Sequence, residues 1–103
     1  MTQEELKNAL GLHKKWLSNE PDGVKLDLRG EDFYGLDLRG MDLSYADLSG
    51  MDLSYEDLSR TNLQGADLSY ADLSGTKLYY ANLHNTNLHS TNLSRANTIN
   101  VIG

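Results

Sequence analysis

Nine aspartates, Asp27, Asp32, Asp37, Asp42, Asp47, Asp52, Asp57, Asp67 and Asp72, stand on a five-residue grid in a chain of 103 residues. A serine follows two places after six of them. Carboxylates and hydroxyls are catalytic residue types, but a catalytic site needs them gathered in a concave pocket. A fixed repeat instead spreads them over equivalent surface positions. His84 and His89 are also five apart, which puts them on adjacent faces with diverging side chains, whereas a zinc site needs converging ligands. The chain has no cysteine, no glycine-rich phosphate loop and no nucleophile elbow. The expectation is a protein without catalytic, metal or cofactor sites, whose chemistry is that of an anionic surface carried by the nine aspartates.

The elements that position these residues follow from the same interval. Leu28, Phe33, Leu38, Leu43, Leu48, Leu53, Leu58, Leu63, Leu68, Leu73, Leu78, Leu83, Leu88 and Leu93 recur at every fifth position. On a helix, a step of five turns the side chain by about 500°, so such leucines would spiral over every side. On a strand, alternate members would face opposite ways. The chain must therefore change direction within every unit. Each unit carries an apolar–polar–apolar alternation such as Ala46-Asp47-Leu48, a scrap of strand. It is followed by Ser-Gly, Ser-Tyr or Arg-Gly, which suit a turn. Gly30, Gly35, Gly40, Gly50, Gly65 and Gly75 fall where a type II turn needs positive φ. Short strands and tight turns in repetition wind a coil with leucines inside, each layer touching only its neighbours.

The units "ADLSY", "ADLSG" and "ANLHN" resemble the pentapeptide repeat, A(D/N)Lxx, over residues 24–98. The resemblance implies an all-β solenoid: a right-handed quadrilateral β-helix of just under four coils. The central residue and the residue two before it then point inward. Glu31 and Glu56 occupy inward positions, where a carboxylate is costly unless paired. The first coil is expected to expose Glu31. Glu56 calls for a local bulge or a hydrogen bond to backbone. Leu26, Leu36, Met41 and Met51 are large for inward sites and imply an early core that is wide or closed by another element.

Residues 1–23 supply that element as a capping helix and linker. Thr2 and Glu5 form a capping box, and Leu6, Ala9, Leu10, His13, Trp16 and Leu17 share one face of a helix over 2–18. An α-helix capping the first coil, with Trp16 against it, is the expected role. Residues 99–103 form a short C-terminal tail too small to cover the last coil. That leaves strand edges for a second copy, and a homodimer through the C-terminal coil is expected.

Charge restricts the partners. Residues 1–23 carry four acids and three bases, residues 24–75 eleven and four, and residues 76–103 none and two. Direct nucleic-acid binding needs a basic face and is disfavoured. The N-terminus has no long apolar run, so neither a signal peptide nor a membrane span is expected, and a cytoplasmic, bacterial protein is the default. The leading expectation is a non-enzymatic interaction or scaffold module with an unknown protein partner. The resemblance also implies an alternative, a DNA-mimicking modulator of an enzyme such as DNA gyrase. Tyr45, Tyr55, Tyr70 and Tyr80 sit at corners and are expected to stack on neighbouring coils, with Tyr80 above Arg60.

Overall fold

One hydrogen-bond pattern, repeated at almost every unit, folds the chain. In the computed structural model, which describes all 103 residues, Oδ1 of the Asp or Asn before each central leucine accepts the N–H of the residue two places on. Asp47 accepts Ser49 N–H at 3.1 Å and Asp67 accepts Ser69 N–H at 2.9 Å. This local bond competes with regular helix or sheet pairing and favours a turn. The leucine carbonyl closes that turn. Leu43 O accepts Ala46 N–H at 3.1 Å, and Leu63 O accepts Ala66 N–H at 3.0 Å.

The turns stack in a fixed register. Ten parallel bridges join residues twenty apart, as in Asp27 to Asp47 to Asp67 to Asn87. Four units therefore complete one circuit. Every bridge involves a single residue, and no extended strand forms. The expected all-β character thus takes a reduced form, because a turn in every unit leaves only one residue to pair with each neighbouring layer. Ile102 bridges to Asn82, so the ladder runs through the segment 99–103.

The central residues fill the axis. Those from Leu28 to Leu78 are buried, Leu58 to 1% exposure, and burial loosens only toward Leu88 and Leu93. The residue two before each centre faces the same core as Ala46, Met51, Ala66, Ala71 and Ala81. Thr61 and Thr76 take that place with their hydroxyls donated to the carbonyls of Leu58 and Leu73, both at 2.8 Å, so burial leaves no polar atom unpaired.

The ladder has one gap. Residues 29–39 form no backbone hydrogen bond to the following coil, and the rungs from Asp32 to Asp52 and from Asp37 to Asp57 are missing. Glu56 lies beside this gap. Its own backbone is regular, with Glu56 O accepting Lys77 N–H at 3.0 Å. Neither the bulge nor the side-chain hydrogen bond expected for Glu56 is present. The carboxylate is half-buried instead. Glu31 is exposed and lies 3.8 Å from the N-terminal amine of Met1.

Helix α1 spans Gln3–Leu17, with Thr2 and Glu5 making the reciprocal capping box and with Glu4, Glu5 and Lys14, Lys15 placed to favour the helix dipole. After Asn19 turns the chain through the left-handed region, the backbone returns close to the helix. Gly23 lies so near that a methyl group on it would come within 2.3 Å of Trp16 N. Leu6 and His13, two helical turns apart, are the fully buried face. Trp16, expected against the first coil, is 36% exposed and stacks on the His13 ring instead.

Side chains of α1 complete hydrogen bonds that a preceding coil would otherwise make. Gln3 Nε2 donates to Asp37 O at 3.0 Å, and Gln3 Oε1 accepts Asp37 N–H at 2.9 Å. His13 Nε2 pairs with Ser44 O at 2.6 Å. Elsewhere the equivalent carbonyl accepts from the coil before it, as Gln64 O does from Tyr45 N–H at 2.9 Å. No helix is long and apolar enough to cross a membrane.

Candidate interaction surface

The register distributes the nine aspartates over four columns rather than one stripe. One column holds Asp27, Asp47 and Asp67; a second Asp32, Asp52 and Asp72; a third Asp37 and Asp57; Asp42 stands alone in the fourth. Each carboxylate accepts an amide two residues on, so all nine are held against the turn that follows them. The charge is therefore carried by groups that also shape the backbone.

The columns differ electrostatically. Arg29 Nε and Nη2 donate to the two oxygens of Asp27 at 2.9 and 2.7 Å, and Nε reaches Asp47 at 3.3 Å. The Arg29 side chain and amide hold the Asp27 carboxyl down to about 2. Arg39 pairs with Asp37 in the same way, and its side chain lowers that carboxyl too. Both arginines sit where other units have serine, in the two "DLRG" stretches, and this Asp-Leu-Arg spacing is the signal by which the sequence could have disclosed the pairing. Lys77 follows Asp57 in the third column.

The column of Asp32, Asp52 and Asp72 has no ion-paired base. The Ser54 hydroxyl donates to Asp52 at 2.6 Å and, with the Ser54 amide, lowers its carboxyl. Glu56 is raised by burial first, then by Asp32 and Asp52. The most acidic face thus coincides with the gap in the ladder. Tyr34 and Tyr55 flank it, both largely exposed.

Corner residues pack between layers. The Arg60 guanidinium lies 4.7 Å from the Tyr80 ring centroid, as the sequence suggested, and Tyr70 meets His89 edge-on at 5.5 Å. Tyr45 and Tyr55 lie over Gly65 and Gly75 of the next coil. Nine corners other than glycine have positive φ, among them all four of these tyrosines and Arg60. The serine hydroxyls at positions 44, 49, 54, 59, 69 and 74 all donate to the preceding aspartate and none contacts a histidine. The arrangement presents rigid files of charge and aromatic rings on flat sides.

Comparison with known proteins agrees with this geometry. The family model for pentapeptide repeats matches eight copies over residues 26–55 and 57–95. No curated protein matches the chain. Among solved structures, the pentapeptide repeat protein Rfr23 of the cyanobacterium Cyanothece 51142 is 30% identical with a TM-score of 0.69 over 74% of this chain and 52% of that one. The pentapeptide repeat protein alr5209 of Nostoc PCC 7120 is 33% identical with a TM-score of 0.72 over 88% of this chain and 71% of that one. The chain thus spans about half the length of the first and about seven-tenths of the second. These likenesses make the ladder a right-handed, four-sided β-helix.

Proposed function

The chain belongs to the pentapeptide-repeat family, and from that premise we propose that it is a non-enzymatic interaction module of just under four coils, lidded by α1, that recognises a basic protein partner through its acidic columns. The observation supporting this reading is the fate of the catalytic residue types. Every serine hydroxyl in the aspartate units and every grid aspartate is committed to a turn, leaving a preformed surface and no activated nucleophile. A preorganised surface loses little conformational entropy on binding, which favours recognition. The decisive experiment replaces Asp32, Asp52 and Asp72 by Asn, which keeps the amide-accepting oxygen while removing charge. Partners captured from native lysate by the wild-type chain but lost by this variant, with direct binding then measured in purified form and weakened by salt, support the reading. Partners retained equally by the variant overturn it.

The file Asp32–Asp52–Asp72, unrelieved by a base, favours the second reading, a DNA mimic acting on a DNA-binding enzyme. Arg29 and Arg39 neutralise the neighbouring files, and residues 76–103 have no acid, which weighs against it. A gyrase supercoiling assay unaffected by micromolar protein removes this alternative. The homodimer also belongs to the proposal. The outer edge of the coil at Leu88 and Leu93 leaves their N–H groups without backbone partners, a template for a second copy. Sedimentation giving a monomer at high concentration removes it.

A further inference from the structure

We propose that His13 is a pH-sensitive latch that holds α1 to the coil when neutral and releases it when protonated. Two bonds define the latch. The Leu26 N–H donates to His13 Nδ1 at 2.9 Å, and His13 Nε2 lies 2.6 Å from Ser44 O. An amide can only donate, so Nδ1 must carry a lone pair. A carbonyl can only accept, so Nε2 must carry the proton. The geometry admits one tautomer of one protonation state.

A second proton on Nδ1 places two N–H groups head to head, at a ring only 1% exposed. The Leu26 amide loses its acceptor in a buried setting, which is costly. The ring forms no ion pair in this arrangement. Lys14 on the helix and Asp42 on the coil line the cleft beside the ring, and Lys25 lies 5.5 Å from the Trp16 ring centroid. No carboxylate pairs with the histidine, and Asp42 already accepts the Ser44 amide and hydroxyl. The latch joins three elements at once: the helix, the lead-in at Leu26 and the corner at Ser44. Because only the neutral ring satisfies both partners, acidification is the direction that disfavours the docked helix.

The molecule carries its own reporter. Trp16, the only tryptophan, stacks on the His13 ring with centroids 5.6 Å apart. The test follows Trp16 emission from about pH 8 to about pH 5, alongside nuclear magnetic resonance of the same unmodified chain. The expected result is a one-proton change in emission. It coincides with titration of the His13 ring, loss of the Leu26 amide signal position and about tenfold faster intrinsic-rate-corrected exchange of the α1 amides. His13→Gln keeps an acceptor and a donor but no titrating group, and should abolish the change. A His84→Gln/His89→Gln chain should retain it. The latch is overturned if the emission change survives in His13→Gln, if His13 in the wild-type chain gains its proton while Leu26 and α1 amides stay protected, or if His13 gains no proton across the range. The wild-type resonance arm decides the matter even if His13→Gln does not fold.

Discussion

Tyr45 lies over Gly65, one coil further along the chain, so closely that a methyl group on Gly65 would come within 2.4 Å of the ring. The same pairing recurs between Tyr55 and Gly75 at 2.5 Å. In these two pairs the ring occupies the space that a side chain on the next corner would need, whereas Tyr70 and Tyr80, with Ser90 and Asn100 twenty residues on, pack against His89 and Arg60 instead.

Gly65→Ala isolates that link when compared with Gly50→Ala. Both sites have positive φ, +66° and +68°, but only Gly65 meets a neighbour. Each variant should lose about 1–2 kcal/mol from the left-handed backbone, and Gly65→Ala should lose more because the Tyr45 ring must move. Adding Tyr45→Ala to Gly65→Ala should recover the excess. Urea unfolding of the three variants gives the comparison, and equal losses at Gly50 and Gly65 would contradict the contact.

Leu58→Ala should cost about 2–5 kcal/mol as a core truncation, since Leu58 is fully buried on the axis. Ser59→Ala should cost under about 1 kcal/mol. It removes a hydroxyl bond to Asp57 but leaves the amide bond to the same carboxylate. Thermal midpoints that fall equally would contradict the inward and outward assignment.

Glu56→Thr should stabilise the protein at neutral pH. Thr76, one coil on, shows the bond a threonine makes there, donating to the carbonyl three residues before it. Burial raises the Glu56 carboxyl above its ordinary 4.5, so the folded state holds its proton more tightly than the unfolded state. The carboxylate consequently destabilises the fold above its folded pKa, and stability returns as pH falls through that value. The variant's midpoint should exceed wild type by a few degrees, roughly, at pH 7. That gain should shrink on acidification, and a gain independent of pH would point to packing alone.

Arg29→Gln should raise the Asp27 carboxyl from about 2 toward its usual 3.8. A depressed folded value means that the pairing supports the fold above the unfolded value and fades as pH drops toward the folded one. Both groups are exposed, so the stability change should be small and reduced by salt. Carboxyl resonances followed from pH 6 downward check this, and an Asp27 midpoint unmoved by the substitution would assign the shift to the turn amide instead.

The five-residue leucine spacing was enough to exclude helix and strand and to require a bend per unit, because packing one row of side chains on an axis is a geometric demand. The capping box at Thr2 and Glu5 and the cation–π pair of Arg60 and Tyr80 were likewise readable, being local or one register step apart. The gap between Asp32 and Asp52 was not. It is a relation between two layers, which no single unit reports. The left-handed corners at Tyr70 and Arg60 were hidden because only glycine advertises positive φ in a sequence. His13 was visible as part of an apolar face, but its two partners, Leu26 and Ser44, are backbone groups whose side chains say nothing of the bond. The twenty-residue columns of aspartates were readable from the four-unit coil that the resemblance implies, but their division into relieved and unrelieved files was not, because it depends on arginines that sit in serine positions.

Because ladder partners stand twenty residues apart, the gene behind this chain is sensitive to the phase of insertions and deletions. Losing one codon would swing every later leucine off the axis. Losing five between Tyr45 and Gly65 would keep the axis filled but rotate all later faces by a quarter circuit, so that Tyr45 met Tyr70 instead of a glycine. A change of twenty codons keeps the interior filled and every later face in its own column, which makes a whole circuit the natural unit by which such a protein lengthens or shortens.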